Sequence, residues 1–348
     1  MISVKQGIRC LSTSSLRMTN YGFIGLGEMG QHMGRHIYNK LEPDDKLYVY
    51  DLEPANTKKF VDTVTEASPA NKKLVVPLES ISDFVHKVDS QLEFIMTMVP
   101  EGKHVKSVVE ELVQNYKKCA TDISGVSTTF LDSSTVDIPT SIEVHKYVKQ
   151  QIPDFDFIDT PVSGGVAGAR KGTLSFMLSR ETHEDMSPSL TSLLSKMGTN
   201  IFPCGKNHGT GLAAKLSNNY LLAVTNLAVA DSFQLAKSFG LDMKNYAKLV
   251  SVSTGKSWAS VDNCPIKGAY PKENDLPADR DCHGGFITKL ARKDLVLATQ
   301  SAKSNNRFLF LGEVGKKWYD KACEREDLAT KDLSVLYEWL EELSEKDK

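Results

Sequence analysis

The chain of 348 residues is long enough for two domains. Its 41% hydrophobic and 25% charged residues are close to the usage of soluble globular proteins, and no run reaches the apolar length of a membrane span. The net charge of −2 provides no overall basic field to recruit nucleic acid, and six widely spaced cysteines without a CxxC pair favour free thiols over disulfides or a zinc site.

Residues 1–18 have the composition of a mitochondrial transit peptide. They include Lys5, Arg9 and Arg17, a hydroxyl-rich stretch at 12–15 and no acidic residue. They lack the continuous apolar core of a secretory signal. We therefore predict a protein of the mitochondrial matrix whose leader is removed, with a disordered basic tail as the alternative.

A glycine-rich turn follows the first predicted strand, residues 21–24, and leads into a helix that is predicted to end near residue 40. A second predicted strand, residues 47–50, ends at Asp51. Strand, glycine turn, helix, strand and acid in this order are typical of a dinucleotide site in which the helix N-terminus faces the pyrophosphate.

Asp51 also predicts which dinucleotide binds. A carboxylate at this position hydrogen-bonds the ribose diol of NAD and repels the 2′-phosphate of NADP. Glu53 adds a second negative charge, and no arginine follows immediately. We therefore predict NAD as the cofactor. The expected contacts in this region are Gly25, Leu26, Gly27, Glu28, Met29, Gly30 and Asp51.

Strand and helix patterns continue to alternate up to about residue 160. The predicted elements lie at 94–98, 103–116, 130–131, 140–150 and 155–159. This alternation indicates a parallel sheet whose ligands lie beyond the carboxyl ends of the strands. The loops at those ends begin at Gly25, Pro100, Ser133 and Pro161. Two segments rich in prolines and charges, 53–80 and 262–285, are predicted to be insertions that run over the surface.

From residue 212 onward the patterns are helical. The first helix, 212–239, spans about 40 Å at about 1.5 Å per residue and is mostly apolar, which favours burial between domains or subunits. The other predicted helices lie at 246–252, 288–303, 310–324 and 331–343. The predicted fold class is α/β: a Rossmann-type domain with a parallel-rich sheet over 19–208, then an all-helical domain over 209–345 that begins with this interdomain helix.

Lys215 and Asn219 project from one face of the long helix because they are four residues apart. On the helix alone, this pair favours a lysine that snorkels from the start of a buried helix, with a ligand site as the alternative. The other motifs of the chain favour the ligand site. The loop after the strand at 155–159 contains Ser163, Gly164 and Gly165. Their hydroxyl and backbone N–H groups can bind a small carboxylate, and the alternative is a plain turn without a ligand.

His32 and His36 lie four residues apart on the first predicted helix. An HExxH motif is absent, and no third ligand accompanies the pair. We therefore predict no metal site.

Four segments in this order resemble the β-hydroxyacid dehydrogenase family, in particular its 3-hydroxyisobutyrate dehydrogenase branch. They are residues 22–30, 157–174, 209–219 and 284–295. A fifth sequence, Gly255-Lys256-Ser257-Trp258, is similar to that branch in particular. The resemblance extends from residue 21 to about residue 340 and implies a fold like that of 6-phosphogluconate dehydrogenase.

The resemblance implies a role for each candidate residue. Lys215 would be the general acid or base of hydride transfer, which requires burial and a nearby cofactor to lower its pKa. Asn219 would orient the substrate, and the loop at 163–165 would bind its carboxylate. Further cofactor contacts would come from Val99, Pro100, His104, Thr135 and Lys293. His104 stands where relatives have Asn, and an ordinary surface lysine is the alternative for Lys293.

The implied reaction is NAD-dependent oxidation of a small 3-hydroxy acid. The substrate would be 3-hydroxyisobutyrate, giving methylmalonate semialdehyde in valine degradation, or 3-hydroxypropionate, giving malonate semialdehyde in propionate or β-alanine metabolism. The two substrates differ by one methyl group, which a pocket discriminates by only about 10–200-fold. The family also implies a homodimer or homotetramer, without nucleic-acid or membrane partners.

Two other functions stay open. A 6-phosphogluconate dehydrogenase-like enzyme would need a phosphate site, but no basic cluster accompanies the proposed site. A non-catalytic, cofactor-binding interaction module would resemble relatives that lack the catalytic lysine, and Lys215 argues against it.

Overall fold

The computed structural model describes residues 19–89, 91–119 and 127–346, so the predicted leader at 1–18 lies outside the described residues. The strands of the main sheet are β1 (Asn20–Ile24), β2 (Lys46–Tyr50), β3 (Val75–Pro77), β4 (Leu92–Thr97), β5 (Thr129–Asp132) and β6 (Asp156–Asp159). All neighbouring strands pair in parallel, in the order β3-β2-β1-β4-β5-β6. The prediction of a parallel sheet is confirmed.

Helices connect these strands and cover both faces of the sheet. They are α1 (Gly30–Tyr38), α2 (Pro54–Ala67), α3 (Asp83–His86), α4 (Gly102–Lys118) and α5 (Ile138–Gln151). Alternate strand residues point to opposite faces. Phe23 and Leu131 pack in the cluster of α1 and α2, whereas Ile24 and Phe130 pack in that of α4 and α5. Burial on both faces explains the nearly continuous apolar strands in the sequence.

The expectation that residues 53–80 form a surface insertion is wrong. α2 and the edge strand β3 occupy most of this segment, and β3 pairs with β2. Pro54 lies in the first turn of α2, where backbone N–H groups have no partner within the helix. The N–H that proline lacks therefore costs no helical hydrogen bond. The buried residues of α2 are only Thr57, Phe60 and Val64. Its apolar pattern was therefore too sparse to indicate a helix.

A small second sheet, which the sequence did not predict, lies between β6 and the helical half. It contains β7 (Val162–Ser163), β8 (Leu174–Leu178) and β9 (Gly198–Pro203), and the intervening helices are α6 (Gly165–Lys171) and α7 (Pro188–Met197). β7 is antiparallel to β8, and β9 is parallel to it. Phe176 of β8 and Leu193 of α7 belong to the same core cluster as α1. The small sheet therefore extends the core of the main sheet.

The second half of the chain is helical and is built around α8 (Thr210–Ser238), a helix of 29 residues. The others are α9 (Met243–Val252), α10 (Trp258–Val261), α11 (Thr288–Ser304), α12 (Gly312–Cys323), α13 (Glu326–Ala329) and α14 (Leu336–Lys346). Leu295, Tyr319 and Leu336 pack with Ala223 of α8 in one cluster. The predicted long helix and helical second half are confirmed. Within the described ranges, none of the helices has the length and apolar character needed to cross a bilayer.

Residues 262–285 form 3₁₀ turns and irregular backbone, but they are not the surface insertion that was predicted. Cys264, Ile266 and Leu276 are buried in a cluster with Val229 and Phe233 of α8. The segment therefore packs on the long helix. Its prolines and charged residues indicated a surface loop, although the apolar residues between them are buried.

Candidate active site

The glycine turn joins β1 to α1 at the point where the strand order reverses, since β2 and β4 flank β1 on opposite sides. Gly25 has a φ of +95°, and a Cβ there would lie 2.3 Å from the carbonyl oxygen of Met98. A Cβ at Gly30 would lie 1.8 Å from the carbonyl oxygen of Gly25, whereas one at Gly27 would meet no atom within 4 Å. Two glycines thus allow close packing, and Gly27 leaves open space for a ligand such as a pyrophosphate.

The other residues of the turn differ in their environment. Leu26 is buried in the core, Met29 is half-buried and Glu28 is exposed. The N–H of Leu26 donates to Oδ2 of Asp51 at 2.6 Å, and the N–H of Glu53 donates to Oδ1 at 2.9 Å. The turn and the acid are therefore joined directly.

Asp51 lines a cavity of about 340 Å³. Leu52 and Leu78 are among the apolar residues that line it. Lys58 also lines it, but its ammonium group lies 2.5 Å from a carboxylate oxygen of Asp62. The carboxylates of Asp62 and Glu79 also line the cavity. Apolar side chains next to the carboxylate of Asp51 suit an adenine and its ribose diol.

The loops after β4 and β5 are held together by Lys293 of α11. Its Nζ donates to the carbonyl oxygen of Thr135 at 2.8 Å and to that of Pro100 at 3.3 Å. The N–H of Val99 donates to Oγ of Ser134 at 2.9 Å, which links the same two loops. Lys293 therefore connects the helical half to the carboxyl edge of the sheet.

His104 lies in the first turn of α4, directly after the Pro100 loop. Its Nδ1 is buried and has no hydrogen-bond partner among the described residues. Buried polar atoms are nearly always paired in folded proteins. This nitrogen is therefore a candidate contact for a bound ligand.

Lys215 is a buried cation on α8, with only 8% of its surface exposed. Burial lowers the pKa of Lys215 to about 8; Asp294 opposes this shift and Lys293 adds to it. An amine with this pKa can both accept and donate a proton near neutral pH, as a general acid or base must. The depth of burial argues against a lysine that snorkels to water.

Asp294 is a functional candidate that the sequence reasoning missed. Nδ2 of Asn219 donates to its Oδ2 at 2.6 Å, and both residues are buried. Burial raises the pKa of Asp294, while Lys293 and Lys215 lower it. The adjacent pair Lys293-Asp294 was visible in the sequence, but only the packing of α11 against α8 brings Asp294 to Asn219. These four residues form one polar cluster between the two helices.

Ser163, Gly164 and Gly165 lie where β7 passes into α6. A Cβ at Gly165 would meet no atom within 4 Å, so the backbone at Gly165 faces open space, whereas a Cβ at Gly164 would lie 3.2 Å from Cδ2 of Leu174. The loop follows β6 at the same carboxyl edge of the sheet as the loops at Pro100 and Thr135. In the part of the chain that the structure describes, no hydrogen bond joins this loop to Lys215.

The strand order, the glycine turn with its acid and the helical second half define the class of the chain: it is an NAD(P)-dependent dehydrogenase. Residues 20–205 match the family model for the NAD binding domain of 6-phosphogluconate dehydrogenase. Residues 209–340 match the model described as NAD-binding of NADP-dependent 3-hydroxyisobutyrate dehydrogenase.

Individual relatives agree with these models. The mitochondrial 3-hydroxyisobutyrate dehydrogenase of Drosophila melanogaster is 32% identical over 95% of this chain and 92% of its own length, and that of Homo sapiens is 34% identical over 95% and 89%. The structure of the Mycobacterium tuberculosis 3-hydroxyisobutyrate dehydrogenase with L-serine has a TM-score of 0.77 at 29% identity, covering 93% of this chain and 99% of that one. The chain belongs to the 3-hydroxyisobutyrate dehydrogenase branch of the β-hydroxyacid dehydrogenase family.

Proposed function

We propose that this protein oxidises 3-hydroxyisobutyrate to methylmalonate semialdehyde with NAD, a step of valine degradation. The observation that carries the proposal is the buried Lys215, whose pKa of about 8 suits proton transfer, beside Asn219 and the bridging Lys293. The names of the relatives support this substrate. 3-Hydroxypropionate, which lacks one methyl group, is the second substrate, with a discrimination of about 10–200-fold.

Oxidation removes a hydride from the carbinol carbon and a proton from its hydroxyl group. When bound, NAD supplies the acceptor for the hydride. The neutral amine of Lys215 accepts the proton, and in the reverse direction its ammonium form donates a proton to the carbonyl oxygen. Asn219, fixed by Asp294, orients the substrate oxygen next to Lys215. The hydroxyl group of Ser163 and the N–H groups of Gly164 and Gly165 bind the carboxylate.

The residues present fit the cofactor. The open space beside Gly27 would accept the pyrophosphate, and the cavity lined by Leu52 and Leu78 would accept the adenine. Asp51 and Glu53 favour NAD over NADP because both are negative at the adenosine end. The nicotinamide end would be held at the loops of the carboxyl edge. The proposed contacts there are Val99, Pro100, His104, Thr135 and Lys293.

L-serine in the Mycobacterium tuberculosis relative supports the same class of substrate. It has a carboxylate and a primary alcohol separated by one carbon, as 3-hydroxyisobutyrate does, with an amino group in place of the methyl group. A small 3-hydroxy acid is therefore the common chemical feature, and the group on the middle carbon sets the preference.

The cellular context is part of the proposal. Several relatives are named as mitochondrial, which supports a mitochondrial protein with residues 1–18 as its transit peptide and the matrix as its compartment.

The division into domains at 19–208 and 209–345 is supported by the gap between the two matched family models. Exposed apolar residues of the α8 region, Leu221, Leu235 and Phe239, support a homodimer or homotetramer.

Steady-state kinetics with a panel of substrates tests this function. We expect the highest kcat/KM with 3-hydroxyisobutyrate and NAD, lower values with 3-hydroxypropionate and L-serine, and weak activity with NADP. The highest kcat/KM with 6-phosphogluconate, or no turnover of any 3-hydroxy acid, would contradict the proposal.

A further inference from the structure

The first N–H groups of an α-helix have no partner inside the helix. The N-cap residue of α8 is Gly209, with a φ of +90°, so it offers no capping side chain. The partners come from other segments. The N–H of Thr210 donates to the carbonyl oxygen of Asn207 at 3.2 Å, and that of Gly211 donates to Oγ of Ser179 at 3.3 Å.

The remaining groups at this helix end bind one carboxylate, that of Asp159 at the carboxyl end of β6. Oδ1 accepts the N–H of Gly209 at 3.1 Å, and Oδ2 accepts that of Leu212 at 2.9 Å. The hydroxyl group of Ser179 also donates to Oδ1. Asp159 is completely buried and faces the N-terminus of α8, which is the positive end of the helix dipole. A distant side chain therefore caps the helix that contains Lys215.

The contact between Asp159 and α8 is closely packed. A Cβ at Gly211 would lie 2.9 Å from Oδ2 of Asp159 and 2.5 Å from the carbonyl oxygen of Met177. His208 covers the carboxylate, with Nε2 3.4 Å from Oδ1, and stacks on His145 at 4.1 Å. Burial lowers the pKa of His208 to about 4, so its ring is neutral at physiological pH. The cap is thus a fixed contact that excludes water.

Asp159 lies between the two parts of the proposed site. Leu212, which it binds, precedes Lys215 by less than one helical turn. Asp159 is also the last residue of β6, and four residues further along the chain β7 ends at Ser163. Any shift of α8 against β6 would change the distance between the lysine and the loop for the substrate carboxylate.

We propose that Asp159 is a positioning residue that fixes the start of α8, and with it Lys215, against the loop that contains Ser163. The inference rests on the proposed function of Lys215. Asp159 contacts backbone N–H groups and Ser179 rather than substrate, so it acts through the helix. Without the cap, the first turn of α8 frays, Lys215 loses its alignment and water reaches its amine.

The substitution Asp159→Asn tests this role, because the amide nitrogen cannot accept the N–H of Leu212. We expect NAD to bind as in the wild type, while kcat falls by about 100-fold through misalignment. The midpoint of the pH profile of kcat/KM for oxidation should rise above that of the wild type, which is expected near 8, since water returns to Lys215. Asp294 and Lys293, which face Lys215 from α11, are unchanged. A variant that is only less stable would keep the wild-type midpoint.

Asp156→Asn is the matched control on the same strand. Asp156 lies at the opposite end of β6, where it accepts a hydrogen bond from Arg180 at 2.5 Å. Its variant should have the wild-type kcat and midpoint. If Asp159→Asn does not fold, Ser179→Ala replaces it: loss of the partner of Gly211 should raise the midpoint by a smaller amount.

Comparison of the Asp159→Asn variant with a separate Lys215→Met variant distinguishes failure of the positioning role from failure of the role of Lys215. An inactive Lys215→Met variant together with a folded Asp159→Asn variant of wild-type kcat and midpoint would overturn the positioning role and leave the proposed function intact. If Ser179→Ala is used instead, a wild-type midpoint of its pH profile would likewise overturn the positioning role. Full turnover by Lys215→Met would overturn the proposed role of Lys215, and the positioning role with it. The absence of turnover of any 3-hydroxy acid by the wild type would instead overturn the proposed function.

Discussion

The cofactor half and the helical half of the molecule hold their functional groups by different means. At the turn between β1 and α1, backbone atoms are in such close contact that Gly25 and Gly30 leave no space for a side chain. Between α8 and α11, buried side chains interact instead, and burial and charge set the pKa of Lys215. Substitutions in the first region should therefore change folding and binding, whereas those in the second should change proton transfer.

The largest effect is expected in the helical half, from Lys215→Met. Because general acid–base catalysis contributes about 10²–10⁴-fold, kcat should fall by that factor while NAD binds with unchanged affinity. Steady-state kinetics and a fluorescence titration with NADH measure the two quantities. Lys237→Met is the control, since Lys237 pairs with Glu341 at the exposed end of the same helix. Wild-type kcat in Lys215→Met would place proton transfer elsewhere.

The next effect belongs to the cofactor half, from Asp51→Ala. Hydrogen bonds to a charged group contribute about 1.5–3 kcal/mol, so the Kd of NAD should rise by roughly 10–100-fold and the preference over NADP should shrink. Isothermal titration with both dinucleotides measures the change. Glu66→Ala, at the exposed end of α2, is the control. An unchanged ratio of the two affinities would contradict the role of Asp51 in cofactor choice.

Two glycines of the same turn should separate folding from binding. In Gly30→Ala the new Cβ meets the carbonyl oxygen of Gly25, so the free energy of unfolding should fall by about 1–3 kcal/mol. In Gly27→Ala the Cβ meets no protein atom, so stability should be nearly unchanged while NAD affinity falls. Urea unfolding and NAD titration of both variants test this. Equal loss of stability in the two would contradict the packing of the turn.

A smaller effect is expected from Asp294→Asn, and its sign is specific. The carboxylate favours the ammonium form of Lys215, so its removal should lower the midpoint of the kcat/KM profile by about one pH unit. This is opposite to the shift expected for Asp159→Asn. Asp320→Asn on α12, whose partners are Arg292 and Lys316, is the control. A midpoint that rises in Asp294→Asn would refute the electrostatic coupling across the two helices.

The sequence alone predicted the cofactor half well because its signals are local. The glycine turn, the acid at Asp51 and the apolar strands depend on residues close together in the chain, and the structure has the strands and the turn where they were expected. The exceptions are the small second sheet and α2 with β3, where the apolar pattern was too sparse to indicate a helix and an edge strand.

The site in the helical half was less accessible to sequence reasoning because its contacts are distant in the chain. The resemblance to a family indicated Lys215 and Asn219, but the bond from Asn219 to Asp294 spans 75 residues and follows from the packing of α11 on α8. The cap from Asp159 to Leu212 spans 53 residues and depends on the small second sheet that was not predicted. Long-range packing, rather than motif, determines these parts of the site.

The most direct test of the role of Lys215 is the pH dependence of kcat/KM in both directions of the reaction. The base must be neutral to accept a proton, so oxidation should increase with pH through a midpoint near 8 and then level off. Reduction requires the ammonium form and should decrease through the same midpoint. Profiles with this mirror relation are the predicted result. A midpoint near 10.5, the ordinary value for lysine, or no titration between pH 6 and 10 would contradict a buried Lys215 as the acid and base of the reaction.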